Sequence, residues 1–224
     1  MTNEKIAPTK SRKEREREQR RKEIIEVAER LFLSHGFENT KMDQIANEAE
    51  FSKGTLYNYF VSKDDLYLTI GVKAYTILIK YTDTFIKQEK PGLKQLMAIG
   101  YAYYEFTKKY PKFAFIFHDI GTKFGGLDLK PNKALSQSER DFLMISNLYR
   151  GIFIQVISDA IEKKAIRADI NPIMIGVTLS SLTSGLIGEL LHREEFLKGL
   201  NLNRDEIIDF VFETIAKGLK PRSN

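Results

Sequence analysis

Apolar residues recur every three or four positions along most of this 224-residue chain, which is the spacing of one face of an α-helix. The clearest early face consists of Ile24, Ile25, Ala28, Leu31 and Phe32. This first helix is expected to stop near His35-Gly36, because glycine readily adopts the left-handed backbone that ends helices. No stretch of useful length alternates as a β-strand would, and no internal repeat is visible. The chain is therefore predicted to be all-α.

Capping residues divide the next part of the chain into short helices. Thr40, with Asp43 three positions later, forms a variant of the capping box and is expected to begin a helix over about 42–49. Ser52 is expected to cap a second short helix, after a tight turn at residues 50–51. Two short helices joined in this way are typical of a helix-turn-helix.

The remaining pattern predicts further helices, most of them long. The expected total for the whole chain is about nine helices. Ser62 is expected to cap the first of the longer ones. Their expected positions are about 63–81, 92–109, 112–120, 136–164, 172–192 and 204–218. The stretch 121–133 contains glycine and proline and is expected to be a loop.

Composition narrows the class of protein only slightly. The formal net charge is +5 and the isoelectric point is about 9.1, which suits a polyanionic partner without requiring one. Because the chain has no cysteine, disulfides, thiolate nucleophiles and thiolate metal sites are excluded. The charged N-terminus has no apolar signal core, and no window reaches the ~18 unbroken apolar residues of a membrane span. A cytoplasmic protein without membrane contact is therefore expected.

The segment KSRKEREREQRRKE (10–23) concentrates charge near the N-terminus. Glu16 precedes Arg20 by four residues and Glu18 precedes Lys22 by four, a spacing that supports an exposed helix. One interpretation is a solvated helical extension, and the other is a basic arm that lies beside DNA. The sequence alone leaves both open.

The nine residues SKGTLYNYF (52–60) are too polar for a core helix and too aromatic for an ordinary surface helix. Leu56 and Phe60 are four apart and are expected to point into a core. The residues left on or near the exposed side are Lys53, Thr55, Tyr57, Asn58 and Tyr59. Amine, hydroxyl and amide groups of this kind suit phosphates and base edges. The alternative is that the two tyrosines merely pack at the edge of the core.

Taken together, residues 24–68 resemble the DNA-binding domain of TetR/AcrR-family transcriptional regulators. The resemblance is carried by the Ala-x-x-Leu-Phe of the first helix and by the stretches HGFENTKMDQIA and SKGTLYNYFVSKDDL. The rest of the chain resembles that family only in size, helicity and helix order. The resemblance implies a basic, partly disordered extension (1–20), a helix-turn-helix DNA-binding domain (21–68), and an effector-binding and dimerisation domain (69–220).

The resemblance also implies which residues contact DNA. They are Thr40, Lys41, Gln44, Lys53, Gly54, Thr55, Tyr57, Asn58, Tyr59 and Lys63. One position departs from the family pattern, because Glu50 stands in the turn where the family usually has glycine. A non-glycine residue with positive φ is strained by roughly 1 kcal/mol, and this carboxylate adds negative charge near the DNA side.

The function implied by the resemblance is a transcriptional regulator, a repressor that binds a palindromic operator as a homodimer and is released by a small, mostly apolar effector. Helices at about 172–192 and 204–218 are the implied dimer surface. The alternative is a helical small-molecule or lipid-binding protein whose head has lost affinity for DNA. An enzyme is not expected, and no cofactor is expected, because there is no Gly-rich phosphate loop and no paired nucleophile and base.

An aromatic-rich stretch at 101–117 is interpreted either as ordinary core or as the wall of an effector cavity. The candidate ligand-binding residues are Tyr103, Tyr104, Phe106, Phe113, Phe117, His118, Asn147 and Gln155. The adjacent pair His118-Asp119 lacks further spaced ligands and is a weak metal signal, so no metal is expected.

Overall fold

The computed structural model describes residues 11–125 and 134–221 of the chain. These residues form ten α-helices and no strand. The helices are α1 (Arg12–Asn39), α2 (Met42–Glu48), α3 (Lys53–Tyr57), α4 (Lys63–Gln88), α5 (Leu93–Lys109), α6 (Pro111–Phe124), α7 (Gln137–Glu162), α8 (Pro172–His192), α9 (Glu194–Gly199) and α10 (Arg204–Leu219). The all-α prediction is confirmed. The start of the predicted extension (1–10) and most of the predicted loop (126–133) lie outside the described residues.

The chain divides into two compact units. The head unit comprises residues up to Ile70 together with Leu135–Glu139, and the body unit comprises the other described residues. Helix α4 therefore starts in the head unit and continues in the body unit, and α7 does the same. The inclusion of Leu135–Glu139 in the head unit is not visible in the sequence.

Helix α1 begins at a complete capping box. The hydroxyl of Ser11 accepts from the Glu14 amide at 3.2 Å, and the Glu14 carboxylate accepts from the Ser11 amide at 2.7 Å. The basic segment is therefore helical from Arg12 onward. The helix is interrupted at Gly36, whose φ of 79° lies in the left-handed region, and this agrees with the predicted stop at His35-Gly36.

The predicted cap at Thr40 is wrong, whereas the predicted serine caps are confirmed. Lys41 holds the N-cap position of α2 and makes no side-chain cap bond. Thr40 is fully buried, and its hydroxyl donates to the Gly36 carbonyl at 2.8 Å, because the kink at Gly36 leaves that carbonyl without its helical partner. Ser52 accepts from the Thr55 amide and Ser62 from the Asp65 amide, both at 3.1 Å.

The core of the head unit is small and largely aromatic and aliphatic. Its fully buried members are Ile24, Ala28, Leu31, Phe32, Ile45, Ala46, Leu56, Phe60, Leu66, Tyr67 and Leu68. Phe32 and Tyr67 meet edge to face with ring centres 5.0 Å apart, and Phe37 lies 4.7 Å from Tyr67. Each large side chain buried in this way contributes about 1.5–3 kcal/mol. This burial holds the short α2 and α3 in place, and α2 contacts both α1 and α3.

A buried carboxylate ties the start of α4 to the start of α7 within the head unit. Asp65 accepts from the Val61 amide at 3.2 Å, from the Ser136 hydroxyl at 2.8 Å, and from the Ser138 hydroxyl. Asp65 and Ser138 are both buried. A buried carboxylate is tolerated only when hydrogen bonds replace its water shell, and these three donors do so.

The body unit contains two adjoining hydrophobic clusters. One includes Tyr103, Phe106 and Phe212, and the other includes Ile99 and Ile157. Gly100 allows α5 and α10 to approach closely, since a Cβ at this position would lie 2.7 Å from the Phe212 ring. Helix α9 is absent from the sequence prediction because six residues are too few to show helical periodicity.

Helix α8 is the most apolar helix that the sequence predicted. By length and composition alone, Pro172–Leu191 would suffice to cross a membrane, with a mean hydropathy of 1.5. Its residues Ile175, Leu179, Ile187 and Leu190 are buried in the body unit, whereas Ile173, Met174, Val177 and Leu182 are exposed.

We expect Asp65→Ala to lower the free energy of unfolding by about 2–3 kcal/mol, because it leaves the Val61 amide and two serine hydroxyls without their acceptor. Urea denaturation followed by circular dichroism measures the loss. Asp64→Ala is the control, since this neighbour is exposed and only assists the helix dipole, by less than about 1 kcal/mol. Equal losses in the two variants would contradict the role given to Asp65.

Candidate nucleic-acid interface and ligand cavity

Helices α2 and α3 are joined by a tight turn. The Phe51 amide donates to the Ala46 carbonyl at 2.9 Å, and the Glu50 amide donates to the Asn47 carbonyl at 3.1 Å. Glu50 has a φ of 58°, in the left-handed region. The strained backbone expected at this position is therefore present, with a glutamate where a glycine would be unstrained.

The orientation of α3 is set by its apolar residues. Leu56 and Phe60 are buried at 0% and 1% exposure, so the opposite side of the helix faces solvent. Lys53, Gly54 and Asn58 are exposed there, and Tyr57 is 42% exposed. Thr55 and Tyr59 are half-buried at the margin. The predicted inward and outward sides of this segment agree with the structure.

Lys53 is not a free cation, because it forms an ion pair with Asp43 of α2. Its Nζ lies 2.8 Å from Oδ1 of Asp43, and the two side chains are about equally exposed. The hydrogen bond that Lys53 donates to Asp43 raises the pKa of Lys53, and the negative charge of Asp43 acts in the same direction. Any phosphate that binds Lys53 must therefore compete with this carboxylate. This ion pair was not predicted, because Asp43 was interpreted as part of a capping box.

The other residues assigned to DNA contact lie in different environments. Thr40 is buried, as described above, whereas Lys41 is exposed and Gln44 is half-buried. Lys63 is half-buried, and its Nζ donates to the Phe37 carbonyl at 2.8 Å while lying 4.1 Å from the centre of the Phe37 ring. Lys63 thus links the start of α4 to the end of α1.

The basic side of α1 also reaches the region of α3. The guanidinium of Arg17 lies 6.0 Å from the Tyr59 ring centre, and that of Arg21 lies 5.0 Å from the Phe60 ring centre. Such contacts are weakly favourable at exposed positions. They place two arginines of the basic segment beside the C-terminal end of α3, within the head unit.

The sequence of this part of the chain matches a known family. Residues 24–70 match the family model described as bacterial regulatory proteins of the tetR family. This segment is therefore similar to that family.

Two curated relatives illustrate how far this similarity extends. The HTH-type transcriptional regulator HbdR of Aromatoleum sp. (strain CIB) is 48% identical over 54 residues, which cover 24% of this chain and 24% of HbdR. The HTH-type transcriptional activator FasR of Mycolicibacterium smegmatis is 29% identical over 92 residues, or 41% and 42% of the two chains. The chain thus spans less than half the length of these two relatives.

The likeness of fold extends further than the likeness of sequence. The crystal structure of the transcriptional regulator FadR from Bacillus subtilis in complex with stearoyl-CoA aligns with a TM-score of 0.63. The alignment covers 88% of this chain and 98% of FadR at 15% sequence identity. At that identity the comparison shows a shared fold over most of this chain and nothing about a shared ligand.

The body unit contains a cavity of about 790 Å³. Side chains of α4, α6, α7 and α8 line it, and they include Tyr75, Phe117, His118, Tyr149, Arg150 and Ser180. Burial raises the pKa of Tyr75 to about 12 and also raises the pKa of Tyr149. The two phenols are therefore neutral at physiological pH.

Only some of the predicted ligand-binding residues reach this cavity. Phe117 and His118 line it, and Tyr103 lines a neighbouring void of about 50 Å³. The other five do not line the large cavity. The Tyr104 hydroxyl donates to Asp205 at 2.7 Å, and Gln155 donates to Asp159 at 2.7 Å. Phe106 and Phe113 pack in or against the core, and Asn147 is exposed. Among the residues that the structure describes, no three His, Asp or Glu side chains are placed to hold a metal ion.

The cavity residues that sequence analysis missed lie mainly on α7 and α8. One available signal was the serine spacing on α8, since Ser180 and Ser184 are one helical turn apart and both line the cavity. Because α8 was interpreted as part of the dimer surface, these serines were not considered as ligand-binding residues. Tyr75 and Arg150 gave no signal, because their meeting depends on the packing of α4 against α7.

We expect Glu50→Gly to raise the free energy of unfolding by up to about 1 kcal/mol, because glycine adopts positive φ without the steric penalty. The midpoint of thermal unfolding measures the change. Ala49→Gly is the control, since Ala49 has a φ of −86° and a glycine there only adds entropy to the unfolded chain. If both variants were less stable than the original protein, the turn would not be strained at Glu50.

Proposed function

We propose that this protein is a ligand-responsive transcriptional regulator whose head unit binds DNA. The observation that carries the proposal is the solvent-facing side of α3, where Lys53, Tyr57 and Asn58 project from a helix that Leu56 and Phe60 fix in place. It lies within the segment that matches the TetR-family model. In a helix-turn-helix, the second helix enters the major groove and presents such side chains to phosphates and base edges.

The regulator acts as a homodimer on a palindromic operator. One short helix reads only a few base pairs, and two heads about 34 Å apart read two half-sites on one face of the duplex. Helices α8 and α10 are the proposed dimer surface. Met174 and Leu182 of α8 and Phe210 of α10 are at least half-exposed in the single chain, and a partner would bury them.

Ligand binding in the body cavity shifts the population of states that bind DNA. The volume of about 790 Å³ falls within the range of drug-sized ligand sites. Helix α4 begins in the head unit at Lys63 and contributes Tyr75 to the cavity. A ligand changes DNA affinity only as far as it binds one state more tightly. The proposed sign is repression, with release of DNA by the ligand in a cytoplasmic setting.

A second candidate is a helical small-molecule carrier whose head no longer binds DNA. Two carboxylates favour it, since Glu50 in the turn is exposed and Asp43 is paired with Lys53. Both would repel phosphate if they faced the duplex. DNA binding and its salt dependence separate the two candidates.

The proposed function is tested by in vitro selection of duplexes from a random pool with purified, ligand-free protein. The expected product is a palindrome whose half-sites are centred about one helical turn apart. Failure to enrich any sequence, together with no binding to a random duplex at low salt, would reject DNA binding and favour the carrier.

We expect Lys53→Ala to weaken binding to the selected duplex and to reduce the slope of log affinity against log salt by about one, the effect of losing one phosphate contact. Fluorescence anisotropy at several salt concentrations measures both quantities. Lys87→Ala is the control, since Lys87 is also an exposed lysine paired with an aspartate, Asp83, but lies at the end of α4 in the body unit. Equal slopes for the two variants would argue against a phosphate contact at Lys53.

We expect Phe210→Glu to convert a homodimer into monomers, because the substitution places a charge in the proposed apolar interface. Analytical ultracentrifugation measures the change of mass. Phe115→Glu is the matched control, since Phe115 is 58% exposed on α6 and Phe210 is 69% exposed on α10. If Phe115→Glu alone caused dissociation, the interface would lie on α6 and not on α10.

A further inference from the structure

The wall of the body cavity carries positive charge and no negative charge. Of the described residues that line it, Arg150 and His118 are basic and none is acidic. The phenols of Tyr75 and Tyr149 remain neutral, as shown above. A cationic ligand would therefore find no counter-ion here, whereas an anionic group would find one at Arg150.

Hydroxyl groups make another part of the wall polar without charge. Ser146 donates to the Leu143 carbonyl at 3.1 Å, Ser180 to the Val177 carbonyl at 3.0 Å, and Thr122 to the His118 carbonyl at 3.1 Å. Because these hydroxyl protons are already engaged, the strong N–H donors that line the cavity are on Arg150 and His118.

Another part of the lining is aromatic, and its rings pack against one another. Tyr75 lies 4.6 Å from Phe117 and 6.0 Å from Tyr149, and Tyr149 lies 5.9 Å from Phe153, measured between ring centres. Phe117, Tyr149 and Phe153 also line the neighbouring void of about 50 Å³. The cavity lining thus combines an aromatic cluster with polar groups that include an exposed arginine.

We propose that this cavity binds an amphipathic anion, an elongated apolar body that carries a carboxylate or a similar acidic group, and that Arg150 pairs with that group. The proposal rests on the proposed function, because it names the class of effector for the same cavity. The apolar body contacts Phe117 and Tyr149, and the acidic group accepts from the guanidinium. A guanidinium matches a carboxylate with two parallel hydrogen bonds. Since it has five N–H donors, a contact to another protein group still leaves donors for the ligand.

The test uses a matched pair of fluorescent probes, 11-(dansylamino)undecanoic acid and its methyl ester. Both have the same apolar body, and only the acid is charged at pH 7.5. Titration of each probe into the full-length protein gives two dissociation constants. We expect the acid to bind about tenfold more tightly than the ester or better, as for a charge-assisted hydrogen bond.

Two substitutions at Arg150 locate the charge. In Arg150→Gln the acid should bind no more tightly than the ester, while the ester keeps its affinity. Arg150→Lys should retain part of the preference, because the charge remains and the paired geometry is lost. Arg193→Gln is the control, since it removes one positive charge from an exposed arginine that is paired with Glu189 and does not line the cavity. It should keep the full preference.

Three results would overturn the proposal. They are equal binding of acid and ester by the original protein, a preference that survives in Arg150→Gln, and no binding of either probe. The proposed function is tested separately, by measuring DNA binding of the ligand-free protein. A protein that binds DNA but does not prefer the acid refutes only the anion site, and one that prefers the acid but ignores DNA refutes only the regulator.

Discussion

Burial of Leu56 and Phe60 in a small core decides what the head unit can present to a partner. Helix α3 has only five residues, which is too short to persist by its own hydrogen bonds. It is held by the burial of these two side chains and by contact with α2, and the same burial leaves Lys53, Tyr57 and Asn58 facing solvent. The chemistry of the exposed side therefore depends on apolar residues that contact no partner.

Two lysines assigned to DNA contact already have partners within the head unit. Lys53 is paired with Asp43, and Lys63 bonds to the Phe37 carbonyl. In a helix-turn-helix that binds DNA, phosphates would have to replace or share such partners. Affinity then reflects a difference between two sets of contacts, and so the strength of binding cannot be inferred from the number of basic residues.

Local sequence signals predicted local structure well in this chain. The caps at Ser52 and Ser62 each follow from a side chain and an amide three residues away. The prediction of a cap at Thr40 was wrong because the Thr40 hydroxyl donates to the Gly36 carbonyl, four residues earlier. This bond is also local, but it replaces the bond that a cap would make to an amide of α2. The cavity was harder, since His118 and Arg150 come from different helices and nothing in their spacing shows that they meet.

The Asp65 cluster has a consequence for how the head can be separated from the rest of the chain. Ser136 and Ser138, which bind this buried carboxylate, lie more than 70 residues downstream of it. A chimera joined at Ile70, or an excised fragment that ends there, would keep α3 but lose both hydroxyls. The head is in this sense discontinuous in sequence, and a chimera that keeps it intact must also include the first turn of α7.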